Sequence, residues 1–460
     1  MGSLKVARIK PRMQPFENAV AAYRAGQFEV AFEAVSRSAS PASLALAVRA
    51  LVRLNRPADA LEHLAAIPLP LGDLGHQERA ELEMLRSTAL ARAGRSLEAA
   101  QAFDETRPYV FAAACPELEA EFYHLEAQSH LLNRELDRCE AACAQALAPA
   151  PRVYGAQTHF TPLAHTRARV CDLLAAVAAS RRDYAAQLSY LKDACHEMAA
   201  CPVADDGLRA LMLAYLSMLV RETGDVDDAA YVRTSLESIA PIPELQSHRY
   251  AMLHSLGWAN ALRGDHLGAF RDLRAAGEAA PTILLKVRAS LDKAYLAREL
   301  HQTLTAGEEI DYAERLSEAV SWDTASAMDL PVLLALAQAL AADNSVKGRR
   351  LYNHYRRLRK ASTAQHAGFF DERARVDEIV ADATICRSEG NVKRAVLLFE
   401  TAFEKWNELG YEWRAALAAI ELAELGAGPR YTEFARAVAG RRPNSWFASR
   451  ASALPAYATA

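Results

Sequence analysis

The sequence predicts an all-α chain, a solenoid of antiparallel helix hairpins stacked on one another, and three observations carry that prediction. Short turns, several built on glycine, recur between apolar segments of helical period. Small residues stand where two helices must touch. No Val/Ile/Thr-rich alternation is sustained anywhere in the 460 residues. A single hairpin cannot bury its apolar face, so each copy requires stacked neighbours.

The cleanest copy runs from Leu253 to Pro281, LHSLGWANALRGDHLGAFRDLRAAGEAAP. Leu253, Leu256 and Leu273 form an apolar seam at helical spacing, and Gly257 and Ala269 are small enough to let the two helices approach. Gly264 accepts the left-handed backbone that ends the first helix, Asp265 can cap the second, and Pro281 stops it. The same grammar appears at Gly26 in YRAGQFEVAFEAVSRSASP, at Gly94 in LARAGRSLEAAQAFDETRP, at Gly224 in RETGDVDDAAYV and at Gly390 in RSEGNVKRAVLLFETAFEKW. NRPADALEHL around Asn55 reads as a shortened copy, and degenerate turns are expected near Arg134, Asp183, Gly307 and Gly348. About ten hairpins result, over residues 15–440.

Residues 1–14 form a basic N-terminal segment with no apolar stretch behind it, so no secretory signal is expected. Val6 breaks the N-myristoylation pattern. After Trp413 a helix runs through ALAAIELAEL to Gly426, PRYTEFARAV makes a last short one, and residues 441–460 lose periodicity and are expected to be a flexible tail. Within that tail Arg441, Arg442, Trp446 and Phe447 make a basic-aromatic cluster, readable as a docking motif or as a cap on the apolar end of the array.

Hydrophobic residues make up 51% of the chain and charged residues 24%, which describes a folded protein rather than a disordered one. A formal net charge of −4 gives no global attraction to nucleic acid or anionic membrane, so any such binding has to come from a local patch. The seven cysteines are odd in number and dispersed, without a C-x2-C pair, as in a reducing, cytoplasmic compartment.

These motifs resemble the tetratricopeptide superfamily. Leu253, Leu256 and Gly257 stand at its W-x2-L-G positions, Ala269 and Leu273 at A-x3-F, and Gly26 and Gly94 lie 68 residues apart, two units of about 34. The resemblance implies a right-handed superhelical solenoid. The longer units, 40 residues from Gly224 to Gly264, and the ending NELGYEWRAALAAIELAELGAGPRYTEFARAV look like the repeat region of large bacterial LuxR-type regulators, the group of the maltose activator. In that group the repeats sense a ligand or partner between an ATPase and a DNA-binding domain. This chain has no G-x4-G-K-[ST] loop, and the residues after Arg441 are too few for a helix-turn-helix domain. The resemblance therefore implies sensing or docking without ATP use or direct operator binding.

No catalytic signature is present: G-x-S-x-G, H-E-x-x-H and a post-strand G-x-G-x-x-G are all absent. Cys139 with Cys143, and Cys195 with His196, are the nearest approach to metal ligands, and buried structural cysteine is the simpler reading. No cofactor or metal is expected, and the chain is read as non-enzymatic.

Two groups of residues are candidates for binding. In the tetratricopeptide packing the residue after the motif glycine and the one four before it line the concave groove. The resemblance thus places Trp258 and His254 there, with Met218 and Arg221 from the preceding unit and Arg298 on the next inner helix. An aromatic and an imidazole one turn apart suit a peptide or small ligand, though Trp258 could equally fill space under a neighbouring helix. The second group is KGRRLYNHYRRLRK, where Lys347, Arg349, Arg350, Arg356, Arg357, Arg359 and Lys360 occur without an acid. As a helix it puts Leu351, Tyr355 and Leu358 on one stripe and the cations around the flanks, either as a solvated face or as a platform with Tyr352 available for stacking. The functional expectation is an adaptor or sensor holding a protein or peptide in its groove, within a bacterial transcription or signalling complex. The alternative is a ligand-sensing regulator touching nucleic acid through helix 347–360.

Overall fold

A computed structural model describes residues 15–38, 40–66, 74–148, 163–201, 205–239, 241–322, 329–363 and 372–455; the basic segment 1–14 lies outside them. Every regular element among the described residues is helical. The chain divides between Leu213 and Ala214 into two units, so the segment 15–440 that reads as one array in sequence has a structural boundary inside it.

In the first unit the hairpins are α1 (Pro15–Arg24) with α2 (Phe28–Val35), α3 (Pro41–Arg53) with α4 (Pro57–Ala66), α5 (His76–Arg92) with α6 (Ser96–Ala113), α7 (Pro116–Leu132) with α8 (Leu136–Leu147), and α9 (Leu163–Ser180) with α10 (Tyr184–Ala200). The boundary falls inside α11 (Asp206–Thr223), which α12 (Val226–Glu237) follows. The second unit continues with α13 (Gln246–Arg263) and α14 (His266–Ala279), α15 (Ile283–Glu299) and α16 (Thr303–Ser317), α17 (Leu330–Ala341) and α18 (Ser345–Thr363), α19 (Glu372–Ser388) and α20 (Val392–Glu408), then α21 (Glu412–Glu424) and α22 (Pro429–Arg441). Successive odd-numbered helices also touch, α3 with α5 and α7 with α9 in the first unit, α15 with α17 and α17 with α19 in the second. They make the inner layer of each array.

The Leu253–Pro281 hairpin forms as its residues dictate. Gly264 has φ +87°, and Asp265 accepts a hydrogen bond from the Gly268 amide at 2.9 Å, capping α14. A Cβ on Gly257 would lie 2.8 Å from Leu273 Cγ, so the glycine sets the spacing of α13 and α14. α14 ends at Ala279, just before Pro281.

The degenerate turns expected around Asn55 and near Arg134 and Asp183 form there, whereas those expected near Gly307 and Gly348 fall earlier in the chain. The left-handed position taken by Gly26, Gly94, Gly224, Gly264 and Gly390 is filled at other turns by Asn55, Arg134, Arg182 and His301, with φ between 58° and 63°. Gly307 and Gly348, expected at turns, lie inside α16 and α18. A Cβ on Gly348 would sit 2.5 Å from Ala341 Cβ, so this glycine serves close packing of α17 on α18.

The end of the chain also departs from expectation. The sequence predicts a flexible tail from residue 441. Instead, residues 442–455 fold onto the second unit, with a short helix α23 (Ala448–Ala453), Trp446 1% exposed and Phe447 fully buried. Periodicity is lost there because this strap is held by two anchoring aromatics and by charges rather than by an amphipathic helix face.

Candidate functional site

The inner helices of the second unit converge on two polar clusters and an aromatic one. On α11, Glu222 takes a hydrogen bond from Trp413 Nε1 at 3.0 Å and ion pairs from Arg221 at 2.9 Å and Arg414 at 3.3 Å. Arg414 lies over the Trp406 and Trp413 rings and reaches Asp377 at 3.2 Å. Burial by itself would raise the Glu222 carboxyl, but Arg414 and Arg221 outweigh it and lower it to about 2. Beside these pairs is a cavity of about 190 Å³, whose lining includes Arg221, Glu222, Tyr355, Arg373, Asp377 and Arg414.

The second cluster joins α13 to α15. His254 Nε2 and Asp292 Oδ2 are 2.5 Å apart, Arg288 donates to the same oxygen at 2.9 Å, and the Tyr250 ring stacks on His254. Burial lowers the imidazole pKa against the opposing pull of Asp292, and burial would raise the Asp292 carboxyl were it not outweighed by Arg288 and His254. The Tyr250 hydroxyl is buried without a hydrogen-bond partner among the described residues.

The aromatic cluster surrounds Trp446. Its ring centroid lies 6.1 Å from that of Trp258, 5.4 Å from Tyr295 and 6.3 Å from Trp413. Four residues on, Arg450 meets Glu299 at 3.1 Å, Glu421 at 2.6 Å and Glu424 at 2.6 Å.

These placements revise the groove expected from the register. Arg221 does line an inner cavity, and Met218 is 40% exposed on α11. His254 is buried against Asp292, and Trp258, 8% exposed, is covered by Trp446, so neither stands on an open wall. Arg298 turns to Asp343 at 3.1 Å and joins neither polar cluster. Sequence reasoning missed Glu222, Asp292, Asp377 and Arg414. Only the i,i+4 pair Arg288 and Asp292 and the adjacent Arg221 and Glu222 left a local signal; His254 meets Asp292 from 38 residues away, Arg414 meets Asp377 from 37, and Arg414 meets Glu222 from 192.

The basic helix α18 sorts its cations in two. Lys347 pairs with Glu314, Arg349 with Asp382 at 2.7 Å and with Glu389 at 2.6 Å, and Arg359 with Glu378. Their role is to hold α18 against α16 and α19. Arg350, Arg356, Arg357 and Lys360 are exposed and have no carboxylate partner among the described residues. They border a shallow depression of about 990 Å³ whose lining also includes Val346, Asn353 and the paired Arg349, Arg359 and Glu378. Tyr352, expected to be available for stacking, is 3% exposed and packs on Tyr355 in the core, because its position on the helix faces α17 and α19.

Cys139 and Cys143 are buried in the hydrophobic core around α8, and among the described residues no three His, Cys, Asp or Glu side chains gather as metal ligands. No described helix is long and apolar enough to cross a membrane.

No protein-family model matches the chain, and no curated protein matches it. Solved structures similar to it include yeast Tom70, at 12% identity over 95% of this chain and 95% of that one, with a TM-score of 0.30. Cut9–Hcn1, an APC/C hetero-tetramer, matches at 13% identity over 95% and 94%, with a TM-score of 0.25. The tetratricopeptide domain of P58(IPK) matches at 14% identity over 81% and 95%, with a TM-score of 0.19.

Proposed function

We propose that this chain is a non-catalytic binding scaffold whose open docking surface is the cationic face of α18, and that its partner is an acidic segment of another protein. One observation carries this reading: Arg350, Arg356, Arg357 and Lys360 share an exposed face with no carboxylate partner among the described residues, while three other cations of the helix are neutralised. The face spans about 15 Å along the helix, two to three turns of a partner helix. Cations left unpaired lose no existing ion pair when an acidic partner arrives, and they steer its approach.

Nucleic acid is the second reading. Sequence-tolerant readers of single strands use exposed aromatics for base stacking, and with Tyr352 buried the face offers Val346 and Asn353 between its cations. That favours the protein partner. The resemblance of the 40-residue units to LuxR-type regulators supports placing that partner in a bacterial cytoplasmic transcription or signalling complex.

The test compares the full chain with the triple variant Arg350→Glu, Arg356→Glu, Arg357→Glu. Binding of a fluorescent poly-glutamate peptide is measured by anisotropy against salt, beside a single-stranded oligonucleotide of equal charge. The variant is expected to bind the peptide at least tenfold more weakly at low salt. Equal affinities sink the proposal, and a wild-type preference for the oligonucleotide transfers it to the second reading.

A further inference from the structure

We infer that the inner face formed by α13, α15 and α21 recognises a basic-aromatic peptide turn, and that residues 442–455 are its built-in occupant, displaced by a partner segment of the same chemistry. That chemistry is a tryptophan followed four residues later by an arginine, as Trp446 and Arg450 are arranged in the strap itself.

The face has two matched halves. Trp258, Tyr295 and Trp413 make an aromatic socket, each within 6.3 Å of the Trp446 ring centroid and edge-on to it. Glu299, Glu421 and Glu424 make an acidic clamp on Arg450, all with distances between 2.6 and 3.1 Å. Three carboxylates meet one guanidinium, and Arg387 on α19 helps to neutralise Glu421 and Glu424. With the strap away, the half-buried clamp is left acidic beside an open aromatic cleft. Those are the features of a site for an aromatic anchor with a cation beside it.

The way the strap is held marks it as displaceable. Among the described residues its one backbone hydrogen bond to an inner helix, Trp446 N–H to the Ala261 carbonyl, is long at 3.4 Å. Trp446 Nε1 and Ser445 Oγ are buried with no hydrogen-bond partner among the described residues, so closure leaves two donors unsatisfied. The remaining ties are side-chain contacts: the Arg450 clamp, Arg442 to the Thr223 carbonyl at 2.9 Å, Arg436 to the Leu454 carbonyl at 2.5 Å, and the burial of Trp446, Phe447, Ala451 and Leu454 in the core of the unit. A partner that supplies acceptors for the indole and hydroxyl gains bonds that the strap does not make. It competes against a tethered occupant whose effective concentration is on the order of millimolar, so loosening the strap has to reveal the site.

The experiment uses the full chain and two full-length variants, Trp446→Ala and Arg450→Glu. The probe is a fluorescein-labelled peptide with the sequence of residues 442–455, RPNSWFASRASALP. Both variants are expected to bind it at least tenfold more tightly than the wild type, and a peptide carrying the Trp→Ala change is expected not to bind. Variants that keep their helical circular dichroism and cooperative melt yet do not take up the peptide overturn the inference. So does loss of the cooperative melt in both variants, because the strap is then part of the core. In the unmodified protein, hydrogen exchange of amides 446–454 is expected to run at least tenfold faster than that of α13, and equal protection also overturns it. The triple α18 variant leaves peptide uptake unchanged, which separates this face from the cationic one.

Discussion

Gly264 does two jobs that one residue type alone can combine. Its φ of +87° ends α13 in the left-handed region, and a Cβ there would collide with the Asn444 carbonyl of the strap. Gly390 has nearly the same backbone, φ +76°, with nothing within 4 Å of where a Cβ would stand. Both alanine substitutions incur the left-handed cost of about 1–2 kcal/mol. Gly264→Ala also has to move Asn444, so it is expected to lower stability by about 1 kcal/mol or more beyond Gly390→Ala. Urea midpoints of the two variants measure this, and equal losses would show that the strap does not press on the turn. The same logic explains Asn55, Arg134, Arg182 and His301, where the backbone is unchanged but the residue that announces it is missing.

At the scale of the helix pair, glycines separate by what faces them. Inside a helix, glycine to alanine normally gains about 0.5–1 kcal/mol of helix propensity. Gly307 in α16 has open space around its missing Cβ, and Gly307→Ala is expected to raise the melting temperature. Gly257 in α13 faces Leu273 at 2.8 Å and the Ala269 carbonyl at 3.3 Å, so Gly257→Ala is expected to lose about 1–3 kcal/mol from overpacking and to lower it. Opposite signs of the two shifts check that Gly307 is helix interior and Gly257 is an interface. In α18 the division is by charge pairing: Arg349 is spent on Asp382 and Glu389, while Arg350, Arg356, Arg357 and Lys360, which line the same depression, are left for solvent or a partner.

At the scale of the second unit, the ion pairs around Glu222 connect its first helix to its last hairpins. The folded carboxyl, at about 2, lies below its unfolded value, so its stabilising contribution is complete above about pH 4.5 and is lost as pH falls through 2. A shift of this size corresponds to roughly 3 kcal/mol. Glu222→Gln is expected to be less stable near neutral pH, because Arg414 and Arg221 lose their buried counter-charge, and to show a flatter loss of stability between pH 4.5 and 2.5. Urea unfolding across that range checks it; parallel curves for the two proteins would remove Glu222 from the acid response.

The sequence by itself determined the helices, the hairpin grammar and the small-residue contacts, because each rests on neighbours within about twenty residues. Leu253 to Pro281 folds as its spacing dictates, and the mixed character of Lys347 to Lys360 was legible as two alternatives. Turns without glycine were legible around Asn55, Arg134 and Asp183, but those before α16 and α18 were drawn toward Gly307 and Gly348, since a glycine inside a helix reads locally like a turn. Tertiary structure alone decided which faces are open. Glu222 and Arg414, Trp258 and Trp446, Glu299 and Arg450 meet across long stretches of chain, and burial and charge pairing depend on that meeting. Of the residues expected to line an open groove, Trp258 is covered by the strap and His254 is buried against Asp292, while Met218 stays exposed and Arg221 lines the inner cavity; three of the seven cations of α18 are consumed by packing.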